Sequence, residues 1–217
     1  MINSIIYYLD SLFPNPKCEL IYNKDYELLI SVMLSAQTTD KRVNEVTSIL
    51  YKKYNTLEKL ANADINDIIS IIRPIGTFHK KSSNIIEISK RLISDCKGKV
   101  INDRKYLESL PGVGRKTVNV VLANLFDEKL IAVDTHVGRV AKRLSLARDK
   151  DDVLQIEKKL NKKFPKESLG RLHHQLVLFG RYYCKSQNPK CETCKIKDIC
   201  KYYKKKNRIT TKKNNTI

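Results

Sequence analysis

No apolar run in this chain approaches the ~18 residues that a membrane-spanning helix needs, so no membrane partner is expected. No segment of useful length alternates apolar with polar residues as a half-buried strand does, and nothing repeats at a fixed period. The opening stretch 1–12 lacks a basic start and contains Asp10, which argues against a secretory leader. Acidic side chains are in short supply: 23 Asp and Glu stand against 42 Lys and Arg, a net charge of +19 over 217 residues. A chain so basic meets nucleic acid or an anionic surface. The expected location is the cytoplasm, nucleoid-associated if the source is bacterial. Six cysteines in such a compartment argue for metal or chemistry rather than disulfides.

What the chain does have is helical periodicity. Hydrophobic residues make up 41% of it, enough for a real core in one large or two small domains. Residues 1–12 read as a short helix ended by Pro14 and Pro16. Tyr26 to Leu34 is apolar nearly all round and should be a buried helix. Polar residues 35–40 interrupt it, and Asp40 is expected to cap a helix whose apolar face is Val43, Val46 and Leu50. Further helices are marked by Ile65 to Ile72, by Ile85, Ile88 and Leu92, by Asp134 through Leu144, by Val153 to Leu160, and by Leu172, Leu176, Phe179 and Tyr183. The fold class expected is all-α. Cys18 and Cys96 read as buried packing residues. The C-terminal stretch 204–217, basic and without an acid, is expected to be disordered.

Two stretches carry chemistry. The first is Leu110-Pro111-Gly112-Val113-Gly114-Arg115-Lys116-Thr117. Pro111 ends what precedes it, and two glycines permit a tight turn and a close backbone approach. Val118, Val121, Leu122 and Leu125 then mark a helix face. A glycine turn feeding a helix start aims backbone N–H groups at an anion, so Gly112, Gly114 and Arg115 are candidate phosphate contacts. The glycines are too close together for a Walker loop. A plain helix cap and turn is the alternative reading. The second stretch is Cys184, Cys191, Cys194 and Cys200, spaced C-x6-C-x2-C-x5-C. Four thiolates so close in sequence can enclose one soft metal centre. Spacing leaves zinc and a 4Fe-4S cube equally open. Lys185 and Lys190 flank the loop between the first two cysteines and are candidate phosphate contacts.

Hairpin and cysteines together resemble the endonuclease III family of DNA glycosylases, over nearly the whole chain from Tyr26 to Tyr202. Residues 34–40, Leu-Ser-Ala-Gln-Thr-Thr-Asp, resemble its early signature; residues 110–119 resemble its helix–hairpin–helix. Residues 133–137, Val-Asp-Thr-His-Val, resemble its catalytic aspartate segment, and His173-His174 with Gly180-Arg181 lead to the cysteines as they do in the family. The resemblance implies two helical domains flanking a DNA-binding cleft: a six-helix domain over 18–128, and a cluster domain made of 1–17 with 129–203. It implies a 4Fe-4S cluster on the four cysteines. It implies a monomer acting on double-stranded DNA with a damaged base or an abasic site, removing oxidised or ring-saturated pyrimidines flipped out of the duplex. Lys116 would be the nucleophile that forms a Schiff base and allows β-elimination. Asp134 would assist it, although an N-cap role explains that residue equally well on sequence alone. His136 and the His173-His174 pair read as structural.

Lys116 separates subclasses within this resemblance, because adenine-mismatch relatives have no lysine there and thymine-mismatch relatives carry tyrosine. One departure stands out. The family places a leucine wedge after the Ile-Gly of residues 75–76; here Thr77 occupies that position and Phe78 follows. An apolar wedge offsets unstacking, so Phe78 or Gln37 is expected to supply what Thr77 does not. Phe179, where the family has histidine, reads as a packing change. The competing readings are a DNA-binding module without chemistry, against which Lys116 and Asp134 argue, and a monofunctional mismatch glycosylase, against which Lys116 argues.

Overall fold

The computed structural model describes the backbone of residues 1–214 and the side chains of residues 1–207. Every regular element among them is helical, as expected: α1 (Ile2–Leu12), α2 (Asp25–Leu34), α3 (Asp40–Lys53), α4 (Leu57–Ala61), α5 (Ile65–Ile72), α6 (Phe78–Cys96), α7 (Arg104–Ser109), α8 (Arg115–Leu125), α9 (Thr135–Arg143), α10 (Val153–Lys163), α11 (Leu169–Tyr182) and α12 (Lys201–Asn214). Single 3-10 turns lie at Lys166–Ser168 and Lys197–Ile199. No helix among the described residues is long and apolar enough to cross a membrane.

The chain divides into two compact units, Cys18–Asp127 and Met1–Lys17 with Glu128–Ile217. The first holds α2 to α8, seven helices where six were expected. The extra one, α4, is five residues long, too short to show a period, and is started by the Thr56 hydroxyl accepting from the Lys59 amide. Packing against α3, α6 and α8 explains why α2 is apolar all round. Leu28, Leu29, Ile30 and Leu34 are fully buried. Its one buried acid, Glu27, accepts from the amides of Asn23 and Lys24 at 2.7 and 3.2 Å, which satisfies the charge at a helix start. The cap of α3 is Thr39, accepting from the Arg42 amide at 3.3 Å, not Asp40. Asp40 is instead the first helical residue, where a carboxylate also suits the dipole. Cys18 and Cys96, expected to be buried, are half-exposed: Cys18 lies in the loop before α2 and Cys96 is the last residue of α6, so neither sits on a buried helix stripe.

The second unit is closed by its two chain segments meeting. Ile5, Tyr8 and Leu9 of α1 join a core with Val137, Val140, Ile156, Leu160, Leu172, Leu176 and Phe179. Tyr8 meets the Phe179 ring edge-on at 6.0 Å, and Phe179 stacks on Tyr183 at 6.0 Å. Gln175 fixes α1 from the side, donating to Asp10 at 2.8 Å and to the Phe13 carbonyl at 3.0 Å. Phe179, 2% exposed, is therefore a packing residue.

The expected disordered tail is a helix as far as Asn214; residues 215–217 lie outside the described residues. Lysine is a fair helix former, and the helix starts from an anchored turn, with the Lys204 backbone amide donating to the Cys200 carbonyl at 3.1 Å and Tyr202 and Tyr203 packed on the core.

Candidate active site

The hairpin depends on one backbone position. Gly112 has φ +74°, and a Cβ there would sit 2.3 Å from Asn84 Nδ2 and 3.4 Å from Met33 Cγ. The angle is what requires glycine; a side chain here would in addition have to push the Asn84 amide aside. Val113, 5% exposed, plugs the turn, and its amide returns to the Leu110 carbonyl at 3.1 Å. Gly114 is the N-cap of α8 and has no side chain to take up the first-turn amides. The exposed start of α8 thus presents backbone donors and the positive end of the helix dipole. Lys116, the second residue of α8, is exposed, while Val118, Val121 and Leu122 on the far side are buried and Leu125 is half-buried.

A second group of candidates sits on the start of α6. Thr77 is its N-cap, exposed, with φ +57°, an unusual angle for a β-branched residue. Phe78 opens the helix half-buried, its ring 4.3 Å from that of His79. Gln37 is exposed in the α2–α3 loop with φ +58°. Three residues after Phe78 in α6, Lys81 is only 5% exposed, and its ammonium donates to the carbonyls of Leu34 and Ala36 at 2.9 and 2.8 Å. Burial pushes the Lys81 pKa down from the usual lysine value. Lys81 and Asn84 are i and i+3 on one face, so the loop of Gln37 and the turn of Gly112 rest on adjacent positions of α6. Sequence reasoning missed Lys81. The signal was present: 81, 85, 88 and 92 form one apolar stripe, and lysine is its odd member.

In the other unit, Asp134 is the N-cap of α9, its Oδ1 accepting from the Val137 amide at 2.7 Å. The side chain remains half-exposed, and its second oxygen is not used by the cap. His136, next but one, faces inward. Burial pushes its pKa down, Arg181 and Arg139 add to this, and Asp134 opposes it. Arg139 Nη2 donates towards His136 Nδ1 at 3.3 Å. Gly180 of α11 lies against this turn: a Cβ there would be 2.8 Å from His136 Cβ and 3.2 Å from its backbone. The helix bearing Asp134 is thus held by backbone contact that tolerates no side chain. His173 is buried beside His174, rings 5.0 Å apart, and burial pushes His174 down as well.

The same helix grips the cysteine loop. Arg139 Nε donates to the Cys184 carbonyl at 3.1 Å and its Nη2 to the Gly180 carbonyl at 2.7 Å. Arg143, one turn later, donates to the carbonyls of Lys185 and Ser186 at 2.7 and 3.1 Å. Its guanidinium also stacks on Tyr202, 4.0 Å from the ring centre. Neither arginine was singled out from sequence, although i and i+4 spacing put them on one face. Cys184, Cys191, Cys194 and Cys200 form no disulfide and line one apolar cavity with Leu144, Phe179 and Tyr183. Among the described residues no three His, Cys, Asp or Glu side chains converge on a single ion position. Burial pushes the thiols of Cys191 and Cys194 up, and Cys184 and Cys200 push both the same way. Lys185 and Lys190 are exposed, with the Lys190 ammonium 4.9 Å from the Tyr183 ring centre.

Residues 30–166 match the family model described as HhH-GPD superfamily base excision DNA repair protein. The chain is 44% identical over 200 residues to endonuclease III of Bacillus subtilis (strain 168), covering 92% of this chain and 91% of that one. It is 46% identical over 203 residues to endonuclease III of Rickettsia felis, covering 94% and 95%. Among solved structures it superposes on a trapped endonuclease III–DNA covalent intermediate with a TM-score of 0.89 at 44% identity, covering 95% of this chain and 98% of that one. With the glycine hairpin, the capped aspartate and the four-cysteine cavity already in place, these matches show that the chain belongs to the endonuclease III family of base excision DNA repair glycosylases.

Proposed function

We propose that this protein removes oxidised and ring-saturated pyrimidines from duplex DNA and then cleaves the abasic strand, with Lys116 as nucleophile. The observation that carries the reading is Lys116 itself, an exposed amine on the first turn of a helix whose N-cap is glycine. Phosphates bind such helix starts, which would bring the sugar of a flipped nucleotide to the lysine. The deprotonated amine attacks C1′; the N–C1′ bond forms and the glycosidic bond breaks, its electron pair leaving on the base, which takes up a proton. Ring opening gives an iminium between Lys116 and C1′. Loss of the 2′ proton then expels the 3′ phosphate oxygen by β-elimination, and water releases the unsaturated aldehyde and regenerates the lysine. Asp134 stabilises the cationic sugar with the oxygen its cap leaves over. Borohydride trapping on an oligonucleotide containing one abasic site tests this. Covalent protein–DNA product is expected; its absence, with binding intact, overturns the lyase reading in favour of a monofunctional enzyme.

Gln37, Thr77 and Phe78 open the duplex in this reading, and Gly112, Gly114 and Arg115 hold the backbone. The four cysteines hold a 4Fe-4S cluster, and their cavity supports this, since four neighbouring thiolates need the positive charge that iron provides. When bound, the cluster supplies a cross-link that fixes the loop 184–200. Protein purified without oxygen is expected to be yellow-brown with about four iron atoms per chain; a colourless protein with one zinc rejects the assignment.

Lys185 and Lys190 project from that loop as phosphate contacts. Undamaged duplex should bind weakly and with strong salt dependence. Replacing both lysines with alanine is expected to reduce the slope of log K against log salt by about 0.9 for each lost contact, without altering lesion preference. An unchanged slope means that this loop does not meet DNA.

A further inference from the structure

Lysine is rarely buried without partners, and Lys81, at 5% exposure, has a set that matches its chemistry. An ammonium has three N–H donors. Here the acceptors are the Leu34 carbonyl at 2.9 Å, the Ala36 carbonyl at 2.8 Å and the Thr38 hydroxyl at 3.4 Å. The first belongs to the last turn of α2, where carbonyls lack helical partners and the dipole favours a cation. The other two flank Gln37 on either side. Gln37 is held at φ +58°, an angle that non-glycine residues resist. Pinning both neighbours to one buried cation is a physical means of keeping it there. The same residue reaches the other candidate segment through its backbone, its amide donating to the Thr77 carbonyl at 3.1 Å.

We propose that Lys81 is a positioning residue for duplex opening: it fixes the Gln37 loop to the first turn of α6, so that Gln37 and the Thr77–Phe78 turn enter DNA as one rigid unit. The proposal rests on the reading of Gln37 as a residue that fills the space left by the flipped nucleotide. A flipping enzyme must recover unstacking free energy at the moment the base leaves, and a loop that has to be ordered first recovers less.

The test uses Lys81→Met, Gln37→Ala and the double variant in the full-length protein. Amide hydrogen exchange reads the loop. Single-turnover opening is read by 2-aminopurine fluorescence beside a ring-saturated pyrimidine, and undamaged-duplex affinity serves as the control. Lys81→Met should raise exchange at residues 36–38 at least tenfold and slow opening at least tenfold, with undamaged-duplex affinity unchanged. In the Gln37→Ala background it should slow opening by less than a further twofold. Unchanged exchange at 36–38 overturns the anchor. Independent, multiplying effects of the two substitutions overturn the positioning role, because Lys81 then acts through something other than Gln37. Raised exchange together with wild-type opening by Gln37→Ala overturns the reading of Gln37 and leaves the anchor standing. Lys81→Gln keeps two donors and should give intermediate values of both readouts; it is the variant to use if Lys81→Met does not fold.

Discussion

Lys116→Gln is expected to lose strand cleavage and borohydride trapping, slowing both by at least about a thousandfold, about 4 kcal/mol of barrier. Removing the atom that forms the covalent bond leaves no chemical route to the Schiff base, since glutamine has no nucleophilic amine. The fold should not notice. Lys116 is exposed on the first turn of α8, and the apolar side of that helix, Val118, Val121 and Leu122, does not involve it. Its substitution should therefore change stability by less than about 0.5 kcal/mol. Affinity for an abasic-site duplex should fall only modestly, because the hairpin amides remain. The measurement is trapping yield against time, beside a melting curve of the same preparation. Trapping at the wild-type rate would place the nucleophile on another amine.

The second large effect concerns Asp134, where two roles sit on one carboxylate. Asparagine caps a helix about as well as aspartate, so Asp134→Asn should keep the bond now made to the Val137 amide at 2.7 Å. It removes the negative charge. If that charge supports the cationic sugar, single-turnover excision should fall by about a hundredfold to ten-thousandfold, with Tm unchanged. Asp134→Ala removes both functions and should in addition lower stability by about 1 kcal/mol. The pair of variants separates the roles. Wild-type excision by Asp134→Asn, combined with destabilisation by Asp134→Ala, reduces the residue to a cap.

Much of the fold was legible because helices are local. The stripe of Val43, Val46 and Leu50, or of Ile85, Ile88 and Leu92, is a 3.6-residue period that needs no knowledge of the partner surface, and these residues are buried. The starts at Asp134 and Arg115 were legible for the same reason, as caps and glycine turns act within four residues. Where two capping residues stood side by side the local rule was insufficient: Thr39 took the cap and Asp40 the first turn. The helix α12 was misread because composition reports only solvation. Its first turn is decided by Tyr202 and Tyr203 finding a core to pack on.

By itself the sequence determined the helical class, the glycine hairpin, the four-cysteine set and the charge that suits an anionic partner. Each follows from residues close together in the chain. Only the tertiary structure decided which side chains support them. The Lys81 ammonium reaches carbonyls at residues 34 and 36, Asn84 lies beneath Gly112, and Arg139 and Arg143 bind carbonyls between 180 and 186. These contacts join residues about thirty to nearly fifty positions apart. A buried cation or a hydrogen-bonded arginine is stable only when distant acceptors are delivered to it, and packing, not local pattern, determines that delivery.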